Sequence, residues 1–231
     1  MSTYDAEEGR PITGDTFGNG YSDICSLLYA QRRRLFIKRI FDIALSAISL
    51  PVLSVFFIFI SIIIKADSRG PVYYRQTRVG RHGKLFRIYK FRTMVVNADK
   101  SGKLITVGDD SRVTRTGKFL RKTKIDELPQ IINVLIGEMS FVGPRPEVPK
   151  YVELYSESQK QILLVRPGIT DIASIQFRNE SKILASSNDP EKKYIEEIMP
   201  CKLVYNMQYL RNISVINDIR IIILTVFKVL K

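Results

Sequence analysis

The sequence predicts a mixed, helix-rich α+β domain associated with a membrane, with a re-entrant N-terminal membrane helix and amphipathic interfacial helices. Three observations carry that prediction. The stretch Ile43–Ile64 contains no charged residue, yet Pro51 interrupts it and cations stand on both sides. Two β-prone runs flank the turn Gly80–Gly83 in "PVYYRQTRVGRHGKLFRIYKFRTM". The C-terminal half alternates helical patterns with loops rich in Gly and Pro.

Residues 1–30 are polar and dotted with glycine, and lack an apolar core near the start. They read as a mobile tail, neither signal peptide nor transit peptide.

Residues 31–66 form the membrane segment. A straight helix over Ile43–Ile64 would be about 33 Å long, enough to cross a hydrocarbon core of about 30 Å. Pro51 argues against a simple span, because it removes a backbone donor and crowds the preceding turn. Charge argues the same way. Arg32, Arg33, Arg34, Lys38 and Arg39 precede the run, and Lys65, Arg69, Arg75 and Arg78 follow it. The positive-inside rule draws both flanks to the cytoplasm, which a helix kinked at Pro51 and re-entering one leaflet satisfies. A kinked true span is the alternative.

Residues 67–231 read as a cytosolic domain. The hairpin comes first, with Lys90 and Arg92 expected on one face of its second strand. "SGKLITVGDDSRVTRTGK" is loop-like, "IDELPQIINVLIGEM" is a helix, and "SFVGPRPEVP" is a rigid loop. "KYVELYSESQKQILLV" reads as a second helix, ended before Pro167. Helices are expected over "DPEKKYIEEIM" and "CKLVYNMQYLRN". In the final "ISVINDIRIIILTVFKVLK", Ser214, Asn217, Asp218, Thr225 and Lys228 share one helical face and the rest is apolar. Such a helix can lie in a membrane interface or pack on a core.

Charge narrows the chemistry. Lys and Arg total 36 against 23 Asp and Glu, a net charge of +13. The partner is therefore anionic: nucleic acid, a phosphorylated metabolite, or a membrane face. Cys25 and Cys201 form neither a ligand spacing nor a disulfide framework, and His82 is the single histidine. Histidine-based acid–base catalysis and multi-histidine metal sites are thereby disfavoured.

Asp126 and Glu127 stand side by side after the basic run Arg115, Lys118, Arg121, Lys122 and Lys124. One reading makes them a helix start, with Thr123 as cap, the acids favoured by the helix dipole and Pro129 tolerated early. The other makes them a reaction centre. Arg145 lies between Pro144 and Pro146, where proline holds its neighbour extended, and Arg166 precedes Pro167 in "VRPG". A guanidinium held so loses little freedom on gripping phosphate. Cations beside paired carboxylates suit a Mg²⁺–diphosphate site, and a carboxylate can itself attack phosphorus. Neither a GxxxxGK[ST] loop nor a GxGxxG fingerprint occurs.

"YRQTRVGRHGKLFRIYKFRTM", "DDSRVTRTGKFLRKTKIDELPQIINVLIGEMSFVGPRPE" and "VRPGIT" resemble the bacterial sugar transferase family, the monotopic phosphoglycosyl transferases of glycan assembly. The resemblance runs from about Arg39 to Arg178, and the chain looks like the small form without a multi-span region. It implies transfer of a phospho-sugar from a UDP-sugar to undecaprenyl phosphate by a covalent ping-pong route, releasing UMP. It also implies a re-entrant helix broken at Pro51, at the cytoplasmic face of the bacterial inner membrane. The family's dyad falls on Asp126, as nucleophile, and on Glu127, associated with Mg²⁺. Its phosphate- and uridine-contacting residues fall among Lys90, Arg92, Arg121, Arg145, Pro146 and Arg166.

Two departures stand out. Leu50 precedes the helix-breaking Pro51 where relatives often have Ser, leaving Ser46 or Ser49 to satisfy the freed carbonyl. "DIASIQFRN" replaces the "GWAQVNGRN" of many relatives, which puts the inferred sugar, an N-acetylated amino sugar, in question. Expected partners are the UDP-sugar, undecaprenyl phosphate, anionic inner-membrane lipids, a homodimer mate and downstream glycosyltransferases, with no nucleic acid. The rival readings are a membrane-anchored basic nucleic-acid-binding protein and a catalytically silent scaffold.

Overall fold

The computed structural model describes residues 21–98 and 110–230 of the chain. The fold is mixed α+β and rich in helix, with two small two-stranded sheets among these residues. Residues 1–20 of the expected tail lie outside the described residues. The remainder of that tail is structured: Tyr21–Ala30 is helix α1, and Ile24 and Leu28 are buried against the core. Two apolar side chains one turn apart were enough to dock it.

Helix α2, Arg32–Asp67, is about 54 Å long at helical rise and runs on through Pro51. Its buried residues Lys38, Asp42, Ser46, Phe57, Ile60 and Ile64 follow one stripe at spacings of mostly three and four. The opposite face is apolar and exposed, with Ile48, Val52 and Val55 more than 70% accessible. Both halves touch the same domain. Arg39 donates to the carbonyls of Val134 and Leu135, whereas Phe57, Ile60 and Ile64 pack with Phe91, Leu120 and Ile131. Pro51 leaves the carbonyl of Ala47 without its usual i+4 donor. Ser46 and Ser49 do not repair this, because their hydroxyls donate to Asp42 and Leu45 instead.

Strands β1 (Tyr73–Val79) and β2 (Leu85–Phe91) form the expected antiparallel hairpin, with Tyr74 opposite Lys90. Arg92 continues the pairing beyond β2 through its N–H, 2.8 Å from the Val72 carbonyl, and Lys90 and Arg92 border one cleft as expected, although different groups hold their side chains. The basic run becomes helix α3, Arg115–Lys122, capped by Thr114. Gly117 lets α3 close on the hairpin's exit, since a Cβ there would stand 2.0 Å from the Thr93 carbonyl oxygen.

The dyad segment is a 3₁₀ turn, Ile125–Gln130, that passes into the short helix α4, Ile131–Ile136. Thr123 therefore ends α3, donating back to Phe119 and Leu120, and does not cap a helix start. Lys124 makes the reversal between the two in a left-handed conformation, φ 57°, which costs a non-glycine residue energy and recurs near functional sites.

The loop expected at Ser140 opens with β3, Ser140–Val142. The second expected helix is broken into α5, Pro149–Val152, and a 3₁₀ turn, Gln159–Leu164. Then β4, Gly168–Thr170, pairs in parallel with β3. Helices α6 (Ile172–Gln176), α7 (Glu180–Ala185) and α8 (Pro190–Lys193) follow, and a π turn at Tyr194–Ile198 leads into α9, Met199–Arg211.

The final helix, α10, spans Val215–Leu230. Its polar stripe is largely turned inward: Asp218 is fully buried, and Thr225 shares a hydrogen bond with Thr170. Ile216 is 83% exposed, and Ile223, Leu224 and Phe227 are exposed as well. Helices α2 and α10 thus present apolar surface outward and bury polar groups, the reverse of a helix that packs on a water-soluble core.

Candidate active site

The hairpin, the 3₁₀ turn and the Pro144–Pro146 loop converge on Glu127. The hairpin edge is fixed by fully buried Asn133 of α4, which accepts from the Tyr89 N–H at 2.9 Å and donates to the Arg87 carbonyl at 3.0 Å. That docking aims Lys90 at the turn, and its Nζ lies 2.8 Å from Glu127 Oε1. Arg145 reaches the same carboxylate from the loop as a two-pronged fork, one bond at 3.1 Å to Oε2 and another to Oε1. The loop is held in turn by Asp171, the cap of α6, which accepts from the Arg145 backbone N–H and from Ser174. On its other side Arg78 donates to the Pro146 carbonyl and to Glu147.

Electrostatics separates the two carboxylates. Burial pushes Glu127 up, but Arg145 and Lys90 outweigh it and hold the group well below the usual carboxylate range. Burial, then the adjacent Glu127 charge, push Asp126 above its ordinary value. Burial and Glu127 therefore outweigh Lys90, Lys124 and Arg121 at Asp126. Burial lowers Lys90, and Glu127 partly restores it. Asp126 and Glu127 are each at most 8% exposed, and Asp126 Oδ1 has no hydrogen-bond partner among the described residues. Buried oxygens are rarely left so.

Two cavities meet here. A polar cleft of about 900 Å³ is lined by both dyad residues, Lys90, Arg121, Arg145 and Tyr74. A second cavity of about 630 Å³ shares Glu127 and Arg145 but not Asp126. Its walls include Pro146, Ile169, Ile175, Phe177 and Val226, the last from α10.

Lys90, Arg121, Arg145, Pro146, Asp126 and Glu127 are thus gathered around these two spaces. Arg121 lines the first while donating to Thr93 at 2.8 Å. Arg92 also borders it, but its guanidinium is engaged by Ser68 and Pro71, where it braces the exit of α2. Arg166 is not brought to the dyad. It lines a separate small cavity and donates to the Gly137 carbonyl. Sequence reasoning missed Asn133, Asp171 and Arg78, polar side chains whose partners lie far along the chain.

Among the described residues no group of three or more His, Cys, Asp or Glu converges. Glu127 accepts three hydrogen bonds, fewer than a carboxylate's roughly four acceptor positions. With the orphaned Asp126 oxygen this is a hard-oxygen donor set. It fits a cation whose remaining ligands are substrate oxygens and water.

A family model described as bacterial sugar transferase matches residues 33–231. The sugar transferase EpsL of Bacillus subtilis (strain 168), itself uncharacterised, is 39% identical over 196 residues, 85% of this chain and 88% of that protein. The UDP-glucose:undecaprenyl-phosphate glucose-1-phosphate transferase of Klebsiella pneumoniae is 40% identical, covering 83% of this chain and 39% of its own length. The UDP-N-acetylgalactosamine-undecaprenyl-phosphate N-acetylgalactosaminephosphotransferase of Aeromonas hydrophila is 36% identical, covering 84% and 44%. The chain therefore spans less than half of these last two relatives.

Proposed function

This chain belongs to the bacterial sugar transferase family, and on that premise we propose that it moves a sugar 1-phosphate from a UDP-sugar to undecaprenyl phosphate. The observation that carries the reading is the division of labour in the dyad. One carboxylate is clamped by Lys90 and Arg145, and the other keeps a buried oxygen without a partner where the two cavities meet.

The polar cleft suits a nucleotide diphosphosugar, and the apolar cavity beside α10 suits the phosphate end of a polyprenol. Asp126 attacks the β-phosphorus; a P–O bond forms to the carboxylate, and the bond to UMP breaks. Arg121 and Lys90 meet charge on the diphosphate. An oxygen of the lipid phosphate then attacks the same phosphorus and frees Asp126. Glu127 fixes Arg145 and Lys90 around the reacting phosphates. Mg²⁺, held by Glu127 with substrate oxygens, would supply further charge neutralisation there. The donor is an N-acetylated amino sugar nucleotide, a reading supported by the Aeromonas relative's name.

The exposed apolar faces of α2 and α10 support a membrane placement. The exposed apolar faces enter the cytoplasmic leaflet of the inner membrane, and the domain stays on the cytosolic side. Both halves of α2 pack on that domain, which supports insertion without crossing.

The test is UMP release over a panel of UDP-sugars with undecaprenyl phosphate in vesicles. The expected result is UMP formed before lipid is added, near one per enzyme, and turnover only after lipid. Absence of UMP with every donor would overturn the reading.

A further inference from the structure

Arg166 leaves one basic feature unexplained by the dyad. It lines a cavity of about 50 Å³ together with Arg39, Arg81, Lys38 and Asp42. Four cations meet one carboxylate in that lining, and Lys38 is already paired with Asp218. Burial depresses the Arg166 guanidinium, and Arg39 and Arg81, which line the same cavity, push it down further.

Each arginine is held by backbone. Arg39 donates to Val134 and Leu135, Arg81 to Leu164, and Arg166 to Gly137. Helix capping accounts for Arg39 and Arg166 in part. It does not account for their gathering with Arg81, which comes from the hairpin turn. Both Arg81 and Arg166 use only Nε in these bonds. Their terminal amino groups donate to no protein acceptor among the described residues.

We infer that Arg39, Arg81 and Arg166 form a second anion site, away from the dyad, that takes the phosphate of an anionic phospholipid headgroup. The cavity is far too small for a nucleotide, whose pockets run to roughly 300 Å³ or more. A phosphate fits guanidinium forks: Arg81 and Arg166 can each offer paired terminal donors, and Arg39 adds positive charge beside them. A lipid source follows from position. Arg39 lies one turn before the uncharged run of α2, between exposed Ile40 on one side and buried Lys38 on the other. Leu35 of α2 and Ile213, just before α10, are also in the lining. The exposed apolar faces of both helices therefore begin beside the cavity, where acyl chains would continue from a captured headgroup. The site would fix the depth and tilt of the domain on the leaflet.

Binding to phosphatidylcholine vesicles, with and without phosphatidylglycerol, separates this from general attraction. Arg81→Gln with Arg166→Gln is compared with Arg33→Gln plus Arg34→Gln, which removes the same charge from exposed positions. A specific site predicts that the first pair loses phosphatidylglycerol-dependent affinity about tenfold more than the second. Equal losses would overturn it, leaving only diffuse charge. If the first pair melts below the parent, exposed Arg81 decides alone: Arg81→Gln must lose more than Arg33→Gln. Soluble glycerol phosphate tests the source. Saturable binding of it, abolished by Arg81→Gln, with no phosphatidylglycerol preference in the parent, would assign the site to free phosphate and sink the lipid reading.

Discussion

Lys90, Glu127 and Arg145 in the cleft, and Lys38, Asp218 and Tyr209 beneath α2, are both buried ionic networks, yet only the first is left open. In the second, Lys38 pairs with Asp218, whose other oxygen accepts from Tyr209 at 2.8 Å. The same hydroxyl lies 3.2 Å from the Val142 carbonyl oxygen and can share its one proton between the two, so α2, α9, α10 and β3 meet in one set. Lys38 and Asp218 offset each other there, and the cavity that Lys38 and Tyr209 line holds only about 50 Å³. In the first, two cations serve one carboxylate, the neighbouring Asp126 keeps an unpartnered oxygen, and two cavities abut. A closed network holds elements together, and an open one with surplus charge is arranged for a ligand. The same residue types thus serve different ends, according to what remains unsatisfied.

The sharpest break of that comparison is at Asp126. Asp126→Asn should lower transfer by roughly 10³-fold or more and abolish the phosphosugar adduct. The melting temperature should hold or rise, because a buried carboxylate with an orphaned oxygen is replaced by a neutral amide. An adduct surviving in this variant would remove Asp126 as nucleophile and leave the dyad as metal ligands only.

The closed network should respond in the opposite way. Lys38→Ala strands Asp218 beneath α2 and should cost about 3–5 kcal/mol of stability. That is on the order of 10 °C in melting temperature for a chain of this size. Lys38→Met with Asp218→Leu should recover most of the loss, since apolar replacement of a whole buried pair is often neutral. If Lys38→Ala melts like the parent, the pair is not the tie described.

Arg145→Lys falls between. It keeps the charge but cannot make the two-pronged contact with Glu127. Activity should fall about 10- to 100-fold. The melting temperature should drop by a few degrees, because Arg145 also neutralises a buried carboxylate. Loss of stability without loss of activity would move Arg145 to the structural side of the comparison.

The parts of this molecule written in local pattern were legible. The hairpin follows from β-prone runs about a glycine turn, and α9 and α10 from apolar periodicity. Pro51, Asp126, Glu127 and Arg145 were marked by composition or by flanking prolines. What escaped was set by distant partners. The strands at Ser140 and Gly168 are three residues each and too short to leave a period of two. Asn133 and Asp171 look like ordinary loop and helix polar residues until their backbone partners are in place. Arg166 was grouped with the phosphate ligands because it precedes proline, as Arg145 does. The fold sends the two to different cavities. For α10 the polar stripe was seen, but its inward direction depends on Lys38 of α2, 180 residues away.

Pro51→Ala should have the smallest effect, and it bears on the outer face that both networks serve. Alanine restores an N–H that can reach the Ala47 carbonyl, so helix α2 itself should gain, on propensity alone by as much as about 3 kcal/mol. That gain is offset wherever the present course of α2 keeps both its halves on the domain. The packing of Arg39 at one end and of Phe57, Ile60 and Ile64 at the other resists straightening. The net change in melting temperature should therefore be only a few degrees. Topology is the more telling readout. With Cys25 and Cys201 replaced, single cysteines at exposed Tyr29 and Arg69 should both label from the cytosolic side in the parent protein. In Pro51→Ala a minor fraction should label at one position from the opposite side, as a straighter helix gains the option of crossing. Opposite-side labelling in the parent itself would show a true span. The contacts of both halves of α2 with the domain would then have to break in the membrane.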